Sequence, residues 1–315
     1  MKDVAYALKM SAAAVKGCHF PGCDGKPIKA HSISNKRLLL KLSENGKVMY
    51  ISSEHSKAGE LVETGRGIAT TFSGFCDTHD KVFLPVDNND YEPGNAEQEF
   101  LFAFRTVAKE LSTKLMVKHT FVEQLQGKIF AGYNIDTTGF DTYLEGIEIG
   151  ISDLKSFKSI LLDTLGKSKY NVIETAVIIV DYELPMAVSS TFYIELSPEG
   201  NLINDLSASG YSTKVKPIFM TVFPQNGKTF CLISYFRKDR SHFTFLQDAT
   251  KESNTKKQAL ISNLITIYTE NFVALPSFWK GLNPDTKLKY DELYEGSMLI
   301  GPRPFIFDET FSLFP

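Results

Sequence analysis

Three cysteines and one histidine are spaced as the ligands of a single zinc ion. Cys18 and Cys23 form a close pair, and Cys76 and His79 form a second pair much later in the chain. Pro21-Gly22 favours a tight turn that points both thiolates of the first pair the same way. Zinc takes four nitrogen or sulfur donors in a tetrahedron, and the two pairs supply that number. The sequence therefore predicts a structural zinc site on Cys18, Cys23, Cys76 and His79.

The alternative interpretation is that the three cysteines are small buried apolar side chains and that His79 lies on the surface. Disulfide bonds are disfavoured because nothing in the sequence indicates export. Lys9 and Lys16 interrupt the apolar residues near the start of the chain, so no signal peptide is expected. No stretch approaches the roughly eighteen apolar residues that a membrane span needs. We therefore expect a cytoplasmic protein that does not enter a membrane.

Positive charge is concentrated at the start of the chain. The formal net charge is −3, which argues against a protein that coats nucleic acid over its whole surface. The first fifty residues nevertheless hold nine basic and three acidic side chains, and the excess lies on the region of the predicted zinc site. Phosphate is a natural partner for such a segment, so nucleic acid is the expected partner. The alternative is a solvated charged face.

A second mixture of cations and aromatic rings occurs at residues 237–257. Single-strand nucleic-acid binders combine these residue types. The alternative is a solvated loop between a strand and a helix, because no recognisable binding motif occurs there.

Hydrophobic periodicity predicts an α+β fold. Apolar residues repeat at helical spacing over residues 100–127 and 136–166, which indicates a helical hairpin. Apolar runs typical of buried strands follow, and Asn226-Gly227 predicts a tight turn between the last two. The predicted strands span residues 172–182, 189–196, 215–223 and 229–236, and a further helix is predicted over residues 260–272. Because these strands are apolar on both faces, helices should cover a mainly antiparallel sheet.

The chain is longer than a single hydrophobic core usually accommodates, so more than one domain is expected. Pro93-Gly94 indicates a boundary. The predicted organisation is a zinc-binding domain over residues 1–93, a helical hairpin over 94–170 and an α+β domain over 171–315. Within the first domain, residues 26–33 predict a strand and the polar residues 52–67 indicate a loop.

The residues around the two ligand pairs resemble the HNH-type nucleases, over about residues 15–85. Members of that family have a ββα-metal fold, in which the pairs that bind structural zinc lie before and after the catalytic strand and helix. The resemblance implies that His31 is the general base that activates water against a phosphodiester. It also implies that Asp80 binds a divalent ion such as Mg²⁺ or Mn²⁺ and that Asn35 is the middle asparagine, a position for which Asn45 competes.

The chain departs from the HNH pattern at two positions. His79 replaces the second thiol of the later pair, and Ala30 stands where many members carry an acidic metal ligand. Loss of one of two carboxylate ligands weakens the binding of a divalent ion.

His31 and Asp80 also have other interpretations. His31 can be a fourth zinc ligand that displaces His79 or Cys23, or a structural histidine bonded to its backbone surroundings. Asp80 can be a carboxylate that stabilises the first turn of a helix.

Two functional hypotheses follow. The first is an HNH-like, zinc-containing nucleic-acid-processing protein, a metal-dependent endonuclease with a role in bacterial or phage defence by family association. The second is a zinc-stapled module without catalysis, a sensor or adaptor that binds nucleic acid or protein. The position of His31 favours the first, and Ala30 favours the second.

Overall fold

The computed structural model describes residues 14–51, 59–130, 139–207, 214–297, 305 and 307–315. The strands within these ranges are β1 (Lys29–His31), β2 (Lys47–Ile51), β3 (Leu61–Gly65), β4 (Thr71–Ser73), β5 (Ile173–Val180), β6 (Met186–Phe192), β7 (Ile218–Gln225), β8 (Lys228–Phe236) and β9 (Phe272–Ala274).

Two short helices follow β4, and two long ones form the next layer. The α-helices are α1 (Asp77–Asp80), α2 (Leu84–Asp87), α3 (Ala96–Phe130), α4 (Phe140–Gly166), α5 (Thr244–Ala249), α6 (Asn254–Tyr268), α7 (Pro276–Gly281) and α8 (Pro284–Ser297). A π-helical turn spans Asn35–Leu39.

The fold is α+β, as predicted. Seven strands form one antiparallel sheet in the order β3-β2-β9-β6-β7-β8-β5, and β1 pairs with β4 in a separate antiparallel ribbon. The interior strand β9 pairs with β2 on one side and β6 on the other. The large sheet therefore joins strands from the first 93 residues to strands beyond residue 170, while the division into three domains stays a prediction.

Alternate residues of the sheet enter two different cores. In β8, Leu232 lies in a core with buried residues of α3 and α4, whereas Cys231 and Ile233 lie in a second core with buried residues of α6 and α8. Successive side chains of a strand point to opposite faces, so a strand buried on both faces needs an apolar residue at every position. This accounts for the continuous apolar runs and for the burial of Cys231, which matches its interpretation as a small apolar side chain.

The helical hairpin is present. Phe121 of α3 contacts the rings of Phe140 and Tyr143, with centroids 5.4 and 5.0 Å away, and Lys118 forms an ion pair with Glu148 at 2.6 Å. These contacts link the end of α3 to the beginning of α4.

The predicted strand turn is also present. Asn226 and Gly227 both have positive φ angles, 52° and 77°, between the paired Gln225 and Lys228. Two positive φ angles define the tight hairpin turn that Asn-Gly favours.

Two local predictions near the N-terminus need correction. Part of the region expected to be a loop is strand β3, which pairs along its length with β2, and residues 52–58 lie outside the described ranges. The strand expected over residues 26–33 is limited to β1. The side-chain pattern of β3 does not indicate a strand. Backbone hydrogen bonds to β2 hold it in the sheet.

Candidate metal centre and the surroundings of His31

The side chains of Cys18, Cys23, Cys76 and His79 converge on one point. Their ligand atoms all lie within 4.8 Å of one another, and together they could hold a metal ion. The Nδ1 atom of His79 is 3.4 Å from the Sγ atoms of both Cys18 and Cys76. The Sγ atoms of Cys23 and Cys76 are 3.8 Å apart. The four donors predicted from the sequence are thus brought together.

A short turn positions the first two thiols. Gly22 has a φ angle of +70°, and the backbone N–H of Cys23 donates to the carbonyl of Phe20 at 3.3 Å. The N–H of Gly25 then donates to Cys23 Sγ at 3.4 Å. A positive φ angle suits glycine, so the Pro-Gly sequence explains why the chain turns here.

The second pair is positioned by the beginning of α1. Cys76 is the N-cap residue of this helix, and His79 lies one turn further along. The backbone N–H groups of His79 and Thr78 hold the pKa of the Cys76 thiol below its ordinary value, against the opposing effect of burial. A helix N-terminus stabilises a thiolate, which is the form that binds metal.

Backbone pairing brings the two pairs together. The N–H of His19 donates to Gly74 at 2.7 Å, the N–H of Ile28 donates to Phe75 at 2.7 Å, and β1 pairs with β4 beyond them. The Phe75 ring is fully buried between the turn and α3, with edge contacts to Phe20 and Phe104. The metal centre therefore rests on an aromatic core shared with the long helix.

The ring of His19 is buried beside the candidate metal centre. It is 6% exposed, and neither ring nitrogen has a hydrogen-bond partner among the described residues. Burial, assisted by the nearby Lys158 ammonium, lowers the pKa of His19 to about 3. His19 packs its ring edge-on against Phe75 because the backbone bond to Gly74 turns it inward. It does not join the four ligands.

His31 lies at the end of β1, outside the metal-binding group. Its Nδ1 atom is 3.1 Å from the carbonyl oxygen of Ala69. Because a carbonyl oxygen only accepts, Nδ1 carries the proton, and in the neutral ring Nε2 is left as the basic nitrogen. Burial is the main cause that lowers the pKa of His31; Arg105 acts in the same direction, while the Ala69 bond and Asp87 oppose it.

Asp80 and Asn35 differ in their hydrogen bonding. Asp80 is the last residue of α1, half-buried, and its carboxylate has no hydrogen bond or ion pair with the residues that the structure describes. The side-chain oxygen of Asn35 accepts a hydrogen bond from Arg66 at 2.9 Å, and its backbone carbonyl accepts another from the same guanidinium at 3.1 Å. Over the described ranges, Asp80 and His31 do not belong to a second group of three or more histidine, cysteine or acidic ligands.

Sequence reasoning missed a buried ion pair between α2 and α3. The guanidinium of Arg105 makes two 2.8 Å hydrogen bonds to the Asp87 carboxylate and lies 4.3 Å from the centre of the Phe83 ring. Both charges act on the pKa values of His31 and Asp80, so the four groups share one electrostatic environment. The available signal was an arginine inside the otherwise apolar run at the beginning of α3.

The lysines of the N-terminal basic segment are largely unpaired. Lys41 pairs with Glu183 and Lys47 with Glu63. Four further side chains of this basic segment are exposed and have no acidic partner among the described residues, namely Lys16, Lys26, Lys29 and Lys36. Part of the positive charge thus stays available beside the candidate centre.

The mixture of cations and aromatic rings at residues 237–257 is less suited to bind a nucleic acid than the N-terminal basic segment is. Phe243 is fully buried, and Lys251 and Lys256 form ion pairs with acidic neighbours on the same stretch. A buried ring cannot stack on a base, so the observed contacts favour the interpretation of a solvated connecting segment.

Among the described helices, not one combines the length and the apolar run that a bilayer crossing requires. Comparisons of the chain with known protein families, with curated proteins and with solved structures give no match, so the geometry of the site and its surroundings carries the functional argument.

Proposed function

We propose that the four converging side chains bind a structural zinc ion. Two sulfurs that share a tetrahedral zinc lie about 3.8 Å apart, and a sulfur and a nitrogen about 3.6 Å apart, from the usual bond lengths. The observed separations of 3.8 Å for Cys23 and Cys76 and of 3.4 Å for His79 and each neighbouring sulfur agree with that geometry. Three thiols and one imidazole are also the donors that zinc prefers, and a closed set of four leaves no position for a substrate.

We further propose that this zinc-stapled module is HNH-like and processes nucleic acid, with His31 as the general base. The observation that carries the proposal is the hydrogen bond from His31 Nδ1 to the Ala69 carbonyl, which orients the ring and leaves Nε2 basic. The lowered pKa keeps the imidazole neutral near pH 7, as a base must be. The β1–β4 ribbon followed by α1 supports the resemblance to the ββα arrangement.

A divalent ion would be held by few protein groups in this proposal. Asp87 already binds Arg105 with both oxygens, so Asp80, whose pKa is affected by the same Arg105 and Asp87 charges as that of His31, is the proposed carboxylate ligand. Mg²⁺ is commonly bound by one or two carboxylates together with phosphate and water oxygens, so a single carboxylate meets the lower limit. Such an ion, Mg²⁺ or Mn²⁺, would supply charge for the phosphate when bound.

Nucleic acid is the proposed partner because the exposed lysines flank the zinc-binding turn. Lys16, Lys26, Lys29 and Lys36 can each contact a phosphate without breaking an ion pair. A role in bacterial or phage defence follows from the HNH resemblance alone and belongs to the same proposal.

A second candidate is a module that binds nucleic acid or protein without cleaving it. Ala30 is buried and offers no ligand, and Asp87 is occupied by Arg105. These two observations leave Asp80 as the single proposed carboxylate ligand for a cation, which favours recognition over catalysis.

Cleavage of a plasmid and of labelled single- and double-stranded oligonucleotides, with Mg²⁺ or Mn²⁺, separates the candidates. The nuclease proposal expects His31→Ala to abolish cleavage while His242→Ala, a change at an exposed histidine, leaves it unchanged. Equal cleavage by wild type and His31→Ala would remove His31 from catalysis. Binding by all three proteins without cleavage would support the binding module.

Metal analysis of the purified protein tests the zinc site. We expect one zinc per chain in the wild type and in Cys231→Ala, whose thiol is buried in the sheet, and a loss of zinc in Cys76→Ser. Full zinc occupancy of Cys76→Ser would reject Cys76 as a ligand.

A further inference from the structure

A cavity of about 550 Å³ lies between the helical hairpin and the second helical layer, and none of its lining residues belongs to the metal centre. Its walls come from α3, α4, the end of β6 and the end of α6, with α8 closing one side. This volume lies within the usual range of about 300–1,000 Å³ for sites of small molecules.

Carboxylates dominate the charged groups of the wall. Glu110, Asp153, Asp205 and Glu270 line the cavity, together with the single cation Lys114. Asp205 accepts hydrogen bonds from Ser207, but the carboxylates of Glu110, Asp153 and Glu270 have no hydrogen-bond or ion-pair partner within the described part of the chain. Burial raises the pKa of both Glu110 and Asp153. Lys109 and Lys114 offset part of the charge of Glu110, and a bound cation would compensate the remaining negative charge of the wall.

The carboxylates are too widely spaced for one metal ion. The group of metal ligands found among the described residues is the one at the N-terminal turn, and the cavity carboxylates do not form another. A divalent ion needs its oxygen ligands within a few ångströms of one another. A longer molecule that carries positive charge can reach several of these side chains at once.

Aromatic rings line the cavity beside the carboxylates. Phe192 and Tyr268 stack with their centroids 5.1 Å apart, and Tyr193 lies next to them with a hydroxyl that has no hydrogen-bond partner in the described ranges. Organic cations bind well against aromatic faces, and a phenol can accept a hydrogen bond from an ammonium group.

Two glycines of α4 keep the wall open. Gly146 and Gly150 are one helical turn apart and both line the cavity, and a Cβ atom added at either position meets no atom within 4 Å. Glycine is a poor helix former, so these two glycines lower the stability of α4. Because they lack side chains, they leave the cavity beside them unfilled.

We propose that this cavity binds a small organic cation that carries at least one amine, held by Glu110, Asp153 and Glu270 and packed against Phe192 and Tyr268. The site shares no residue with the four candidate zinc ligands, so this proposal does not depend on nuclease activity.

Isothermal titration of the full chain with putrescine, cadaverine, spermidine and agmatine tests this proposal, with triethylene glycol as a neutral molecule of similar length. We expect at least one amine to bind with one site per chain and the neutral molecule not to bind. The Glu110→Gln, Asp153→Asn double variant should weaken binding at least tenfold, whereas Glu145→Gln, at an exposed position of the same α4 helix, should bind as the wild type does.

Gly150→Leu gives a second variant that keeps every charge. The added side chain should fill part of the cavity and weaken binding at least tenfold, while circular dichroism and thermal unfolding report an intact fold. Absence of binding by all four amines would overturn the proposal. So would binding that neither the double variant nor Gly150→Leu weakens, or binding that Mg²⁺ alone reproduces at the same carboxylates.

Discussion

The ring of Phe20 lies flat on the imidazole of His79, with centroids 4.1 Å apart and an angle of 6° between the planes. Phe20 belongs to the turn that carries the first two thiols, whereas His79 belongs to the second pair of ligands. The stacking therefore holds the imidazole in position and joins the two halves of the metal centre. An aromatic pair of this kind contributes about 0.5–1.5 kcal/mol beyond the burial of its area.

We expect Phe20→Ala to lose its metal to a chelator several-fold faster than the wild type, because the His79 ring loses its support. Phe20→Tyr keeps an aromatic ring and should release metal at the wild-type rate. The measurement is the time course of metal release with a coloured indicator. Wild-type release from Phe20→Ala would show that the stacking does not hold the ligand.

Gly25 packs closely against Cys76 and Cys23 at the same centre. A Cβ atom built on Gly25 would lie 2.9 Å from Cys76 Cβ and 3.3 Å from Cys23 Sγ. We expect Gly25→Ala to push the two cysteines apart, to reduce metal content and to destabilise the fold by about 1–3 kcal/mol, as overpacking does. Gly17→Ala is the matched control, since nothing lies within 4 Å of its added Cβ. Metal analysis and thermal unfolding check both, and equal behaviour would contradict the packing argument.

The Asp87–Arg105 pair should contribute strongly to stability. The Arg105 side chain is 4% exposed, so loss of its partner leaves a buried charge without compensation. We expect Asp87→Asn to lower the free energy of unfolding by about 3 kcal/mol, the lower part of the range for broken buried pairs. Glu148→Gln breaks the exposed pair with Lys118 and should cost less than about 1 kcal/mol. Urea unfolding compares the two variants, and similar losses would contradict the distinction.

The pH dependence of cleavage should report His31 if it is the base. The folded protein lowers the pKa of His31 below its ordinary value of 6.5, so the ring is neutral at pH 7 and gains a proton only at lower pH. We expect kcat/KM to be level around neutrality and to fall with a midpoint below pH 6.5. The unfolded chain takes up this proton first as the pH drops, so the contribution of His31 to stability is present above pH 6.5 and is lost below it.

Arg66→Gln provides a matched test of that assignment. Arg66 lowers the pKa of His31, so its neutralisation should move the midpoint of the pH profile upward. A wild-type midpoint above pH 6.5, or a midpoint that Arg66→Gln leaves in place, would assign the titration to another group.

Local patterns in the sequence are sufficient for the secondary structure of most of the chain. The helical stripes, the doubly apolar strands and Asn226-Gly227 each depend on neighbours within one turn or one pleat, so the residues themselves carry the information. The same holds for the metal centre, because its four donors are scarce residue types in two close pairs. Strand β3 was missed because its position depends on pairing with β2.

What the sequence by itself determined is the group of four side chains that could hold a metal ion, the α+β class and the turn chemistry, all of which follow from residue types at short spacing. The tertiary structure alone decided that Met49 pairs with Ala274 in the sheet, that the ring of His19 faces inward, and that Arg105 reaches Asp87. It also decided that carboxylates from α3 and α4 and Glu270, after α6, meet around one cavity. These relationships join residues far apart in the chain, and they form because burial of the two shared cores offsets the entropy of closing long loops, which no local pattern records.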